Sequence, residues 1–168
     1  MFETFLPFIY IYFGTAISLG VGASSVVIAA FLVALMDGKI DLGERRMLGV
    51  VYFSLKVAML SIAATLGLMT INDPQFLPGV PYYWLLTFIL FFNAWLMTKH
   101  YISSKFGPSI QAATWYTLGF LVTIDMFALY ELSPLFFLTL YAIDILLAVL
   151  IVNLFIRYFV PVRPKTSK

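Results

Sequence analysis

The sequence predicts an all-α fold: a five-helix transmembrane bundle, N-out/C-in, with no soluble domain. Three observations predict it. Of 168 residues, 62% are hydrophobic and only 11% are charged, with a mean hydropathy of +1.00. Soluble domains are about 45–50% apolar and about 25% charged, and a chain this short has too little interior to hide so much apolar surface. Five apolar segments approach or exceed the ~20 residues that a helix needs to cross a hydrocarbon core of ~30 Å. Nine of the ten basic residues fall on one side of this five-span pattern, and the tenth, Lys56, falls inside a span.

The first span covers about residues 5–36. As a helix it would be roughly 48 Å long, so it must tilt, kink or begin outside the bilayer; Gly20-Val21-Gly22-Ala23-Ser24-Ser25 is the expected kink. A polar turn, Asp37-Gly38-Lys39-Ile40-Asp41, follows. Asp41 and Glu44 have the spacing of a capping box and start the second span, about residues 47–71. Pro74, Pro78 and Pro81 break the chain before the third, about 81–98, because proline removes a backbone donor and clashes with the preceding turn. Gly107-Pro108-Ser109 separates the third span from the fourth, about 109–130. Ser133 is an N-cap and Pro134 a first helical residue for the fifth, about 134–158. The last two spans therefore form a tight antiparallel hairpin.

Lys39, Arg45 and Arg46 lie between spans one and two, Lys99 and Lys105 between three and four, and Arg157, Arg163, Lys165 and Lys168 at the C-terminal end. The opposite loops hold only Glu3, Asp73 and Glu131. The positive-inside rule then places the N-terminus outside and the C-terminus inside a cell membrane, as a multi-pass protein. Tyr82, Tyr83 and Trp84 stand where an outer aromatic belt is expected, and Trp115, Tyr116 and Tyr158 where an inner one is. Glu3 in place of a basic n-region, and the length of the apolar run after it, predict a retained first span and not a cleaved signal.

The chain has no cysteine, which removes disulfides and thiolate metal sites, and its single histidine, His100, removes bis-histidine haem ligation within one chain. Neither a paired His-Glu zinc motif, a phosphate-binding glycine loop nor a nucleophile elbow occurs. The expectation is a non-enzyme with no metal and no cofactor. Nucleic acid is not an expected partner, since no basic run is interleaved with aromatics. The expected partners are membrane lipid and either further copies of the chain or other membrane subunits.

Gly14, Ser18, Gly22, Ser25 and Ala29 fall on one helical face, and Ser54, Ala58, Ser61 and Thr65 make a similar stripe on the second span. Small residues let helices approach in lipid, so the expected role is helix packing, with a dimer seam or a ligand cleft as alternatives. Lys56 lies near the midplane, where a charge costs about 2.5–3.5 kcal/mol on insertion scales. It should face protein or water, on a face shared with Gly49, Leu60, Ala63 and Gly67 that packs against another helix. Asp144 comes to similar depth and is its preferred partner; Asp125 lies a turn or two further out. Lys56, Asp144 and Asp125 form the candidate intramembrane polar site, read either as an ion pair that sets helix register or as a proton, ion or substrate site. Asn93 and Asn153 are secondary polar groups, expected to hydrogen-bond between helices or, for Asn93 with Trp95 and His100, to line an inner vestibule. His100 is expected in a solvated loop.

Residues Gly14–Leu68 combine a glycine-rich first span, a turn reading DGKI, an acidic cap and a second span. This stretch, about a third of the chain, resembles a helical hairpin of small bacterial polytopic membrane proteins, with a layout similar to that of CopD-like membrane proteins. Where an acid often follows the small run in that pattern, this chain has Ser25-Val26-Val27, and the histidines that would serve metal or haem are absent. The resemblance thus implies a bacterial membrane protein without implying a metal site. The expected function is a small transporter or channel-like protein with an intramembrane Lys/Asp site; the alternative is a non-transporting accessory or assembly subunit of a larger membrane complex.

Overall fold

The computed structural model describes residues 5–37, 41–72, 79–102, 106–127 and 132–159. They form five α-helices: α1 (Leu6–Asp37), α2 (Leu42–Asn72), α3 (Val80–Thr98), α4 (Phe106–Phe127) and α5 (Pro134–Phe159). Among the described residues there is no strand. Of the charged residues used to orient the chain, Glu3, Lys39, Asp73, Lys105, Glu131, Arg163, Lys165 and Lys168 lie outside the described residues, as does most of the proline-rich segment before α3.

Several helix ends follow from local chemistry. Asp41 and Glu44 do form a capping box: the Asp41 N–H donates to Glu44 Oε2 at 2.9 Å, and the Glu44 N–H donates to Asp41 Oδ1 at 2.7 Å. Two backbone donors with no intrahelical acceptor are satisfied together, and α2 begins at Leu42, directly after the Asp41 cap as its spacing predicts. Ser133 caps α5, accepting from the Phe136 N–H at 3.2 Å. α3 ends in a Schellman motif. The Tyr101 N–H donates to the Leu96 carbonyl, the His100 N–H to that of Met97, and His100 itself has φ 59°. His100 is therefore a helix-terminating residue in a left-handed conformation that glycine usually takes, and not merely a loop side chain. Gly107-Pro108-Ser109 does not separate helices either; it lies inside the first turn of α4, where proline is tolerated because its missing N–H would have no intrahelical partner.

Four helical stretches, Leu6–Ala34, Leu42–Asn72, Val80–Thr98 and Pro134–Phe155, are long and apolar enough to cross a membrane. α4 is the exception to the expected five alike, because Gln111, Thr114, Thr117, Thr123 and Asp125 lower its hydropathy. It lies at the centre of the bundle. Ala112, Ala113, Thr114, Trp115, Thr117, Leu118 and Leu121 are all buried, and α4 packs on α1, α3 and α5. α1 packs on α2, α4 and α5, and α2 packs on α1 and α3. A polar helix is tolerable at this position because its hydroxyls and amides find partners inside protein and not in lipid.

The outward faces are apolar, as with Phe53 (67% exposed) and Leu146 (67% exposed). Inside, Trp115 and Tyr83 are both fully buried, so neither belongs to an aromatic belt. Trp115 lies flat against Gly20 of α1, so closely that a Cβ on Gly20 would overlap its six-membered ring. The absent side chain is what lets α1 and α4 approach at this level. Polar stitches join the other pairs: Tyr12 with Ser61 (α1–α2, 3.1 Å), Trp84 Nε1 donating to Thr70 Oγ1 (α3–α2, 3.0 Å), and Tyr141 with Thr114 (α5–α4, 3.1 Å). Tyr82 of α3 stacks on Phe137 of α5 with ring centroids 4.6 Å apart.

Candidate functional site

The two small-residue stripes behave differently. On α2, Ala58 and Thr65 are buried and Ser61 meets Tyr12, so this stripe packs as expected. On α1 the packed face consists of Phe13, Ala16, Ile17, Gly20, Ala23, Ser24 and Val27. The predicted stripe is rotated away from it: Ser18, Gly22 and Ala29 are exposed, and Gly14 and Ser25 are partly so. A Cβ on Gly14 or Gly22 would meet nothing within 4 Å. Within the chain, Ser18, Gly22 and Ala29 therefore do not carry the expected helix packing, whereas Ser25 does reach α4 through Tyr116. Ser18 satisfies its hydroxyl locally, donating to the Gly14 carbonyl at 2.9 Å, so it needs no neighbouring helix.

Gly14, Ser18 and Gly22 instead form one wall of a cleft of about 1190 Å³ between α1 and α4. Ligand pockets usually run about 300–1,000 Å³, so this one is large. Its α4 wall runs from Tyr116 to Met126 and includes Gly119 and Phe120. At one end a hydrogen bond of 2.8 Å joins Ser25 Oγ and the Tyr116 hydroxyl; because Ser25 gives its own proton to the Val21 carbonyl, Tyr116 is the donor. At the other end stand Tyr83 and Asp125. The Tyr83 hydroxyl donates to Asp125 Oδ2 at 2.7 Å, while Phe13 meets the Tyr83 ring edge-on at 5.4 Å between centroids. The same carboxylate oxygen lies beside the start of α3: a Cβ on Gly79 would come 2.9 Å from it. The positive end of the α3 dipole therefore faces a carboxylate.

Asp144 is elsewhere. Thr117 Oγ1 of α4 donates to its Oδ2 at 2.6 Å, and it borders a second, smaller cavity of about 310 Å³ lined from α1, α4 and α5. Along α4, the eight residues from Thr117 to Asp125 span about 12 Å. The two acids thus attach to α4 at well-separated levels and cannot share a proton as a catalytic dyad does. Among the described residues, no three His, Asp or Glu side chains converge as a metal-binding set.

Lys56 joins neither acid. It is exposed on the outer face of α2, next to Tyr52, Phe53 and Leu60, and among the described residues it has no ion-pair partner. The face it shares with Gly49 and Gly67 is open, with nothing within 4 Å of a Cβ at either glycine. The expected Lys56–Asp144 pair fails because equal depth is not proximity: α2 packs on α1 and α3, whereas α5 packs on α4 and α1.

Asn93 meets its expectation as an interhelical hydrogen-bonding residue. Its Nδ2 donates to the Gly107 carbonyl at 2.9 Å and to Gln111 Oε1 at 2.8 Å, tying α3 to α4. It is buried, so it lines no vestibule. Asn153 is exposed on α5 and, among the described residues, makes no hydrogen bond. The sequence reading missed Tyr83, Thr117 and Gln111. Ser109, Ala113 and Thr117 recur every four residues on α4, and that spacing marks the buried face on which Thr117 meets Asp144. Tyr83 carries no comparable signal, since a tyrosine near a helix start also suits an interfacial belt.

No protein-family model, no curated protein and no solved structure matches this chain.

Proposed function

We propose that this chain is an integral cell-membrane protein, N-terminus outside and C-terminus inside, that binds a membrane-soluble ligand in the α1–α4 cleft as a small transporter does. The observation that carries this reading is the cleft itself, walled by apolar side chains and bare glycines and headed by a carboxylate that has no cationic partner among the described residues. Ionisable groups at membrane depth are costly and mark substrate or ion pathways more often than they serve packing. The polar site shifts accordingly from a Lys56–Asp144–Asp125 triad to Asp125 with Tyr83, and Asp144 with Thr117 becomes a separate polar point on the same central helix.

Mass spectrometry of small molecules that co-purify with the protein tests this. A Gly22→Phe variant fills the cleft at a position where nothing stands in the way of the new side chain's Cβ. The native chain is expected to retain an amphiphile that the variant loses, and identical extracts from both would sink the reading. Tags at the two termini should label from opposite sides of the membrane.

One observation favours the second reading, an accessory or assembly subunit. Among the described residues Lys56 has no ion-pair partner and lies beside exposed Tyr52, Phe53 and Leu60, and a cation on such a face is accounted for if a neighbouring subunit brings an acid to it. Capture from native membranes distinguishes the two, since Lys56→Met would then lose a co-purifying subunit while Gly22→Phe would keep it.

A further inference from the structure

Resting on the cleft reading above, the geometry points to a narrower ligand class: a single-chain amphiphile with a cationic amine headgroup, its chain along the α1–α4 cleft and its ammonium on Asp125. Three observations converge on it. The first is length. The cleft runs along α1 from Tyr10 to Gly22, about 18 Å, and along α4 from Tyr116 to Met126, about 15 Å. The α4 length is half of a hydrocarbon core of about 30 Å, the reach of one lipid chain in one leaflet, and the Ser25–Tyr116 hydrogen bond lies at that end.

The second is polarity. Along the cleft Ile17, Val21, Phe120 and Val122 are apolar, and the tyrosines Tyr10, Tyr83 and Tyr116 stand toward its two ends. The hydroxyls of Thr15, Ser18 and Thr123 are turned to their own helices, donating to the carbonyls of Ile11, Gly14 and Gly119. They are spent on backbone and leave a wall suited to hydrocarbon. The carboxylate stands only at the end away from the Ser25–Tyr116 pair, so the ligand must be polar at one end and apolar along the rest.

The third is charge. A carboxylate can accept about four hydrogen bonds, and among the described residues Asp125 accepts one, from Tyr83. No cation of the chain reaches it among the described residues. An ammonium brings the missing charge and several donors at once, and charge-assisted hydrogen bonds are about twice as strong as neutral ones. An anionic headgroup would meet like charge, and a neutral one would leave the carboxylate with only the α3 N-terminus and the Tyr83 hydroxyl as compensation.

Binding of dodecylamine, dodecanol and dodecanoate to the protein in phosphatidylcholine nanodiscs, with empty discs subtracted, tests the proposal. The amine should bind at least tenfold more tightly than the alcohol, and the carboxylate should not bind. Asp125→Asn should weaken the amine at least tenfold and leave the alcohol unchanged, and Gly22→Phe should abolish both. Equal binding of amine and alcohol to the native chain overturns the headgroup assignment without relying on any variant; if Gly22→Phe still blocks both, the cleft itself stands. Should Gly22→Phe leave amine and alcohol binding intact, the cleft reading falls along with the proposal.

Discussion

Replacing Gly20 by alanine should destabilise this protein, although the same change elsewhere in α1 should not. Glycine is about 1 kcal/mol worse than alanine in a helix interior, so Gly→Ala within α1 begins with a gain. At Gly14 and Gly22 nothing lies within 4 Å of the new methyl group, and the gain, about 0.5–1 kcal/mol, should be kept. At Gly20 the methyl group would occupy space held by the six-membered ring of Trp115, which is 0% exposed and cannot swing outward. Overpacking costs about 1–3 kcal/mol, and more where the obstacle is rigid. The propensity gain is common to both variants, so Gly20→Ala should fall about 1–3 kcal/mol below Gly22→Ala. The assay is SDS-driven unfolding of the purified protein in detergent, followed by tryptophan fluorescence. A double-mutant cycle with Trp115→Phe adds a control, since a smaller ring should recover part of the loss. Equal stability of the three alanine variants, or no coupling between positions 20 and 115, would refute the claim that this contact sets the α1–α4 approach.

Three further outcomes are expected. Asn93→Ala removes the donors that hold Gly107 and Gln111 and should cost about 1–2 kcal/mol, near the upper end of polar contacts between membrane helices; a loss below a few tenths in the same unfolding assay would assign the α3–α4 contact to packing alone. His100→Gly should stabilise by about 0.5–1 kcal/mol, because φ 59° disfavours any residue with a Cβ, and a lower unfolding midpoint would contradict the Schellman end. Lys56→Met should leave the stability of the isolated chain unchanged or raise it, since Lys56 is exposed and has no ion-pair partner among the described residues. A loss above about 1 kcal/mol would mean that the lysine holds a contact within the chain.

Helix ends were legible because their determinants are local. The Asp41–Glu44 box and the Ser133 cap each join residues three apart, and their hydrogen bonds appear as the spacing predicts. Rotation about the helix axis was not legible. The small residues of α1 share a face, but composition does not say whether that face meets a helix or a cleft, and here the bulkier Phe13, Ile17 and Val27 took the packing role beside Gly20. Lys56 and Asp144 show the same gap: two residues at one level of a bundle meet only if their helices are neighbours and turned toward each other.

The amino-acid sequence alone determined that this chain is built of long apolar helices with capped ends, because hydropathy, proline placement and cap chemistry act within a few residues of one another. Only the tertiary packing decided that α4, which falls outside the four stretches apolar enough to span a membrane, is the central one, that Gly20 receives Trp115, and that Asp125 ends beside Tyr83 at one end of a cleft. These outcomes depend on which helices lie side by side and how each is rotated. Both are set by the simultaneous fit of side chains from several helices, a condition that no single segment carries.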